Sequence, residues 1–212
     1  MRTRTFGIIM SGLIVGLVAG TTTPAVAQIG IGVVGGVSIA DLHGSEKDVL
    51  LPGTNRSTRS GFVGGAFLDL GLGNILSIRP EVLYVQKGVK FTNSGGELKF
   101  KLDYVEIPVL LVFGIPTPGI VRPEIFVGPQ VAFQTKCDVE GVFTGPCDDP
   151  AIDLATESTD FGILFGASVR ISSFMITGAF DYGLVTLDTD VDPFDIQTQA
   201  FYIMAGWMFS LP

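Results

Sequence analysis

The chain has 212 residues, of which 47% are hydrophobic and 16% charged, and its formal net charge is −8. A soluble domain carries more surface charge than this, and a helical membrane protein shows long apolar spans, which the sequence lacks after residue 27. A membrane β-barrel fits both properties, because its lipid-facing residues occupy alternate strand positions. The excess of acids without a basic stripe argues against a nucleic-acid partner.

Residues 1–27 have the organisation of a secretory signal peptide. Arg2 and Arg4 precede an apolar run over residues 6–19, which is too short to cross a bilayer as a helix. Ala25-Val26-Ala27 supplies the small-x-small pattern of a cleavage site. An uncleaved N-terminal anchor is the alternative. We therefore expect a signal peptide over residues 1–27 and a single barrel domain over residues 28–212.

Eight later segments show the alternation of apolar residues that is typical of β-strands. They span residues 29–40, 61–72, 75–91, 100–114, 121–135, 160–171, 174–187 and 198–211. A tilted strand of about 9–11 residues suffices to cross the hydrocarbon layer. The pattern predicts an all-β fold, namely an eight-stranded antiparallel up-and-down transmembrane β-barrel.

The second face of these segments mixes glycine with charges of both signs, as the interior of a narrow barrel requires. We predict a lumenal charge network formed by Arg79, Glu81, Glu106, Arg122, Glu124, Arg170 and Asp181. Within it, the three glutamates are expected to pair with the three arginines, since buried acids need cationic partners.

Short and long connections alternate along the chain. The short ones lie at residues 71–74, 115–119 and 172–173, and the long polar ones at 41–60, 92–99, 136–159 and 188–197. This alternation indicates periplasmic turns at one end and extracellular loops at the other. An even strand count then places both termini at the end with the short turns.

Cys137 and Cys147 lie in the third long connection. Export to an oxidising compartment favours a loop disulfide between them. A metal pair is the alternative, although no histidine lies near them and two thiolates alone make a poor site.

Two further features of the sequence are candidate chemical sites. His43 is the single histidine, and the nearby Ser45 and Glu46 come without an elbow or oxyanion motif, so we expect no catalytic residues. Acids at spacings of two between Asp188 and Asp195 resemble a calcium loop, but Pro193 and Gln199 occupy the glycine and glutamate positions of the EF-hand template. Neither a metal site nor a cofactor is expected, and cation bridging by the acidic loop stays open.

Three consecutive segments resemble a known family. SIRPEVLYVQKG (77–88), LDYVEIPVLLV (102–112) and PEIFVGP (123–129) are similar to the PorT-like outer-membrane β-barrel domain family. The resemblance implies a small eight-stranded barrel inserted by the outer-membrane assembly machinery, without implying a shared activity. Such barrels often end on an aromatic residue, whereas this chain ends Phe209-Ser210-Leu211-Pro212.

These patterns together predict a non-enzymatic protein of the bacterial outer membrane with a structural or surface-interaction role through its extracellular loops. Its expected partners are outer-membrane lipid, lipopolysaccharide and the assembly machinery, with any extracellular partner undetermined. A narrow passive pore is the first alternative. A soluble periplasmic lipid-binding barrel is the second, although it would leave its apolar outer faces in water.

Overall fold

The computed structural model describes residues 28–43, 55–93, 96–141, 144–147, 159–184 and 197–211. The predicted signal peptide over residues 1–27 lies outside them. No helix in the described part of the chain is long and apolar enough to span a membrane.

The described residues form antiparallel β-strands. They are β1 Ile29–His43, β2 Asn55–Gly71, β3 Leu76–Asn93, β4 Gly96–Gly114, β5 Val121–Glu140, β6 Gly145–Pro146, β7 Thr159–Ile171, β8 Phe174–Gly183 and β9 Gln197–Ser210. The sheet runs in the order β4-β3-β2-β1-β9-β8-β7-β5-β6, and pairing of β4 with β5 closes a ring of eight strands. The two-residue β6 lies outside the ring and pairs only with the end of β5. The predicted up-and-down barrel is confirmed.

The first and last strands seal the barrel where the chain ends meet. Ile31 is paired with Phe209 across β1 and β9, and Leu211 N–H donates to the carbonyl of Ile29. The short turns at residues 72–75, 115–120 and 172–173 lie at this same end, as predicted. We therefore take it as the periplasmic end.

Alternation along each strand divides the side chains between lipid and lumen. In β1, Ile29, Ile31, Val33, Val37 and Ile39 point outward and are 37 to 54% exposed, while Gly30, Val34 and Ser38 are buried inside. The same outward apolar faces occur in the other ring strands, including Trp207 and Phe209 in β9. Such a belt is stable only against lipid, because water would leave a very large apolar surface unburied.

The prediction of a long loop over residues 92–99 is wrong. β3 continues to Asn93 and β4 begins at Gly96, and these two residues are register partners. The pairing persists because the rings of Phe91 and Phe100 meet edge to face with centroids 5.9 Å apart. The strands here alternate polar and apolar residues outside the membrane, so the lipid-facing pattern does not reveal them.

Other strand limits also differ from prediction. β2 begins at Asn55 rather than at residue 61, and β5 runs to Glu140 rather than to 135. β8 ends at Gly183, and residues 185–187 of the predicted strand lie outside the described chain. The differences concern mainly the extracellular ends, where the apolar alternation stops but backbone pairing continues.

Candidate functional site

The periplasmic half of the lumen is organised around Arg79 of β3. Its guanidinium is almost fully buried, and Nη2 lies 2.6 Å from Asp69 Oδ2 and 2.9 Å from Glu124 Oε2. Nε also donates to Asp69 Oδ2 at 2.8 Å, and the cation lies 5.2 Å from the ring centroid of Phe67. Arg79 thus joins β2 to β5 across the barrel, with its charge balanced by two carboxylates.

Glu124 is the acid shared by the three arginines. Arg170 Nη2 lies 3.0 Å from Glu124 Oε1, and Arg122 Nε lies 3.7 Å from the same oxygen. Ser168 Oγ donates to Oε2 at 3.2 Å. Arg122 is 34% exposed at the periplasmic rim, whereas Glu124 is 2% exposed. Of the three predicted glutamate partners, only Glu124 lies within ion-pair distance of these arginines in the described part of the chain.

Glu106 has a different partner from the predicted arginines. Lys87 Nζ lies 2.6 Å from Glu106 Oε1, and it also forms an ion pair with Asp181 of β8. Tyr202 Oη donates to the two acids, with distances of 3.0 Å to Glu106 Oε2 and 3.1 Å to Asp181 Oδ2. Arg79, Arg122 and Arg170 all lie toward the other end of the barrel, which is why they do not reach Glu106.

Further side chains complete this upper cluster. Gln130 Nε2 donates to Asp181, and Lys87 lies 5.3 Å from the ring centroid of Tyr104. Glu81, by contrast, is buried on the lumenal face of β3 next to the Arg79 layer. Within the described part of the chain it forms no ion pair with any of the predicted arginines.

An apolar plug separates the two charged layers. Along β3, Leu83 and Val85 lie between Arg79 and Lys87 on the lumenal face, and all four are buried. The same interruption occurs on other strands, with Phe126 on β5, Leu164 on β7, Ala179 on β8 and Met204 on β9. Side chains therefore fill the lumen between the layers, as expected for an eight-stranded barrel.

The extracellular end of the barrel is a sheet that rises above the lipid-facing belt. The outward face of β4 changes from Ile107, Val109 and Leu111 to Lys99, Lys101 and Asp103. β5 changes likewise, from Phe133 to Lys136 and Asp138. Cys137 and Cys147 are joined by a disulfide at this end, which holds β6 against β5.

Ion pairs cover the outer face of this extracellular sheet. Lys90 Nζ and Lys99 Nζ lie 2.6 and 2.7 Å from the two oxygens of Glu97, and Lys136 Nζ lies 2.6 Å from Asp138 Oδ2. Hydrogen bonds from Lys90 and Lys99 lower the pKa of Glu97 below that of an ordinary glutamate. The surface carries both signs of charge and is exposed, so salt screens it.

The two candidate chemical sites, around His43 and in segment 188–195, lie at the edge of the described chain or outside it. In the described ranges, no three His, Cys, Asp or Glu side chains are placed to hold a metal ion. His43 ends β1, and the acidic segment 188–195 lies outside the described residues.

The charge network predicted from the sequence omits several residues of the two charged layers. Asp69 and Lys87 each carry ion pairs, and Tyr202 bridges two acids. Each lies on the small or polar face of its strand, and that parity was the available signal. Lys87 in particular has the same parity as Arg79 and Glu81 in β3.

A closed antiparallel barrel with an apolar outer belt and an ionic interior defines an integral outer-membrane protein. The family model of the outer membrane protein beta-barrel domain matches residues 22–189, and the chain belongs to that family. The protein is therefore located in the bacterial outer membrane, and the soluble periplasmic alternative is wrong.

Solved structures of outer-membrane proteins are similar to the chain at low identity. Ail of Yersinia pestis is 15% identical with a TM-score of 0.44, and the match covers 86% of this chain and 99% of Ail. OprG of Pseudomonas aeruginosa is 10% identical with a TM-score of 0.49, over 87% of this chain and 98% of OprG. No curated protein matches the sequence.

Proposed function

We propose that this protein is a non-enzymatic barrel that acts structurally and through surface interactions at its extracellular end. The observation that carries the proposal is the continuation of β2 to β5 above the lipid-facing belt. These strands have 17 to 20 residues, whereas about 9–11 suffice to cross the membrane. The surplus length builds a paired, disulfide-linked sheet outside the membrane, which is a scaffold for contacts.

Lipopolysaccharide is the partner that this sheet supports best. The side chains of Lys90, Lys99 and Lys136 are 36, 42 and 61% exposed, although each already has an acidic neighbour. An ammonium group has three donors, so each lysine can bind a phosphate oxygen as well. Lys136 lies three residues beyond Phe133 of the apolar belt, at about the height of the phosphate groups in the outer leaflet. Lys90 and Lys99 extend this cationic surface toward the tip of the hairpin.

The matching experiment compares thermal unfolding in asymmetric membranes that contain lipopolysaccharide with unfolding in membranes of phospholipid alone. We expect lipopolysaccharide to raise the unfolding temperature, and the triple variant Lys90→Gln, Lys99→Gln, Lys136→Gln to lose most of that gain. Arg122→Gln, which removes a cation at the opposite end, is the control and should keep it. Equal stability in both membranes would refute the lipopolysaccharide interaction.

The pore alternative makes a different electrical prediction. Because Leu83, Phe126 and Leu164 pack between the two charged layers, we expect no steady conductance in planar bilayers. A stable unitary conductance in the intact protein would favour the narrow pore over the structural role.

The finer family relationship and the route of assembly also belong to this proposal. The three PorT-like motifs fall on consecutive strands β3, β4 and β5, which supports a PorT-like barrel. The outward aromatic rings of Trp207 and Phe209 near the end of β9 are 48 and 57% exposed. They offer the assembly machinery an aromatic signal. Slower membrane insertion of Phe209→Ala than of Phe201→Ala would support this role, and equal rates would refute it.

A further inference from the structure

The periplasmic mouth of the barrel contains a cavity of about 270 Å³. It lies between the turns of the barrel and the lower charged layer, and its lining includes Asp69, Ser77, Arg122, Arg170 and Met208. The turn glycines Gly73 and Gly119 also line it, and a side chain at either would meet no neighbour within 4 Å. The mouth is therefore open enough to admit a small solute.

The cavity ends blindly inside the barrel. Above it lie the Arg79 layer and then the apolar plug of Leu83, Phe126 and Leu164. A polar solute that enters from the periplasm cannot continue through this plug, because its charged or polar groups would lose their hydration without compensation. The geometry is that of a binding pocket rather than of a passage.

Positive charge is concentrated on the wall of this cavity. Arg79 is engaged by Asp69 and Glu124, and Arg122 and Arg170 share the single oxygen Oε1 of Glu124. Glu81, the next acid on β3, does not line the cavity. The cavity wall thus carries two guanidinium groups, which share one carboxylate oxygen of Glu124, and the carboxylate of Asp69, which is already paired with Arg79. Guanidinium is the group best suited to bind phosphate and carboxylate.

The position of Arg122 is built into the fold. Its Nη2 donates to the carbonyl of Asn74 at 3.0 Å, which links it to the turn between β2 and β3. The guanidinium also lies over Gly114, where an added Cβ would be 2.4 Å from Nη2 and 2.3 Å from Nε. Within the described chain, Nη1 makes no hydrogen bond, so one face of this fixed cation is available to a ligand.

We propose that the periplasmic cavity is a binding site for a small oxyanion, a phosphate or carboxylate group, held by Arg122 and Arg170. Both sources of such a group are near, since a free periplasmic solute enters from the mouth and a phospholipid headgroup lies at the inner leaflet. Arg122 supplies Nη1, and Arg170, its register partner on the neighbouring strand β7, supplies a second positive charge beside it. The site is independent of the extracellular surface on which the proposed function depends.

The test is isothermal titration of inorganic phosphate into the folded barrel in a maltoside detergent, with chloride used to keep the ionic strength constant. We expect saturable binding at one site, weakened about tenfold or more in Arg122→Gln, which corresponds to at least about 1.4 kcal/mol. Gly114→Ala keeps the charge but displaces the guanidinium, and it should also weaken binding. Lys101→Gln, at the exposed ion pair with Glu140 at the extracellular end, is the control and should bind as the parent does.

The same titration in phosphatidylglycerol nanodiscs separates the two sources. Phosphate binding that is retained there identifies a free solute as the ligand, whereas binding that is lost there and present in maltoside identifies a headgroup as the occupant. The boiled and unboiled gel mobilities of every variant show whether it is folded before titration. The proposal would be overturned if the parent showed no saturable binding. It would also be overturned if Arg122→Gln and Gly114→Ala both bound phosphate with the affinity of the parent.

Discussion

Lys87 and Glu106 form an ion pair inside the barrel, with Nζ 2.6 Å from Oε1 and neither side chain more than 2% exposed. They come from the neighbouring strands β3 and β4, and the second partner of Lys87, Asp181, comes from β8 on the far side of the ring. One buried ammonium therefore compensates two buried carboxylates. This arrangement makes Lys87 the cation on which the upper charged layer depends.

Replacing Lys87 by Met should destabilise the barrel strongly. The substitution keeps much of the side-chain volume but leaves Glu106 and Asp181 buried without a cation, and breaking a buried pair in this way costs about 3–5 kcal/mol. Denaturant unfolding in lipid vesicles measures the loss. Lys101→Met, at the exposed pair with Glu140, is the control and should change stability little. Equal losses in the two variants would contradict the role given to Lys87.

The two arginines of the lower layer should differ in the same way. Arg79 is 2% exposed and bridges Asp69 and Glu124, whereas Arg122 is 34% exposed and lies 3.7 Å from its acid. We expect Arg79→Met to cost about 3–5 kcal/mol and Arg122→Met to cost less than about 1 kcal/mol. Midpoints of the heat-induced gel-mobility shift rank the variants. A larger effect at Arg122 would show that the rim, rather than the centre, stabilises the layer.

The sequence predicts the face of the barrel on which these two arginines lie, but not the acids that they contact. The alternation predicts both on the lumenal face, because residues two apart along a strand point to the same side of the sheet. It could not say which acids they meet, since contacts across a barrel depend on the shear between strands. Lys87 shares the parity of Arg79, but parity alone does not show that its partner is Glu106.

The extracellular half was harder to predict for a related reason. Lipid imposes the apolar alternation that reveals the transmembrane part of each strand. Beyond the belt that constraint ends, and β3 and β4 continue through pairs such as Lys90 with Glu97 and Phe91 with Phe100. Such cross-strand pairs are local and recognisable only when the register is known. The sequence therefore indicates a loop where the structure has a hairpin.

Glu97 at the tip of that hairpin should titrate at a lower pH than an ordinary glutamate. Hydrogen bonds from Lys90 and Lys99 depress its pKa, so the stabilisation by the ionised form is present above the ordinary pKa and is lost as pH falls through the folded value. Side-chain NMR titration in detergent measures it. The double variant Lys90→Gln, Lys99→Gln should move the pKa of Glu97 upward, and high salt should do so partly. An unchanged titration in the double variant would exclude these pairs in solution.

Neighbouring glycines in β1 provide a matched test of the barrel wall. A Cβ at Gly36 would lie 1.9 Å from the carbonyl oxygen of Ile203 and 2.7 Å from Met204 Cα, both backbone atoms of β9, whereas a Cβ at Gly35 would meet nothing within 4 Å. Gly36→Ala must therefore push β1 away from β9 at the seam between the first and last strands, and overpacking of this kind costs about 1–3 kcal/mol. Gly35→Ala should leave stability nearly unchanged.

Denaturant unfolding of both variants, with the folded fraction read from unboiled gels, measures the difference. If Gly35→Ala proved as damaging as Gly36→Ala, the close approach of the two strands at the seam would not be the reason for glycine at position 36.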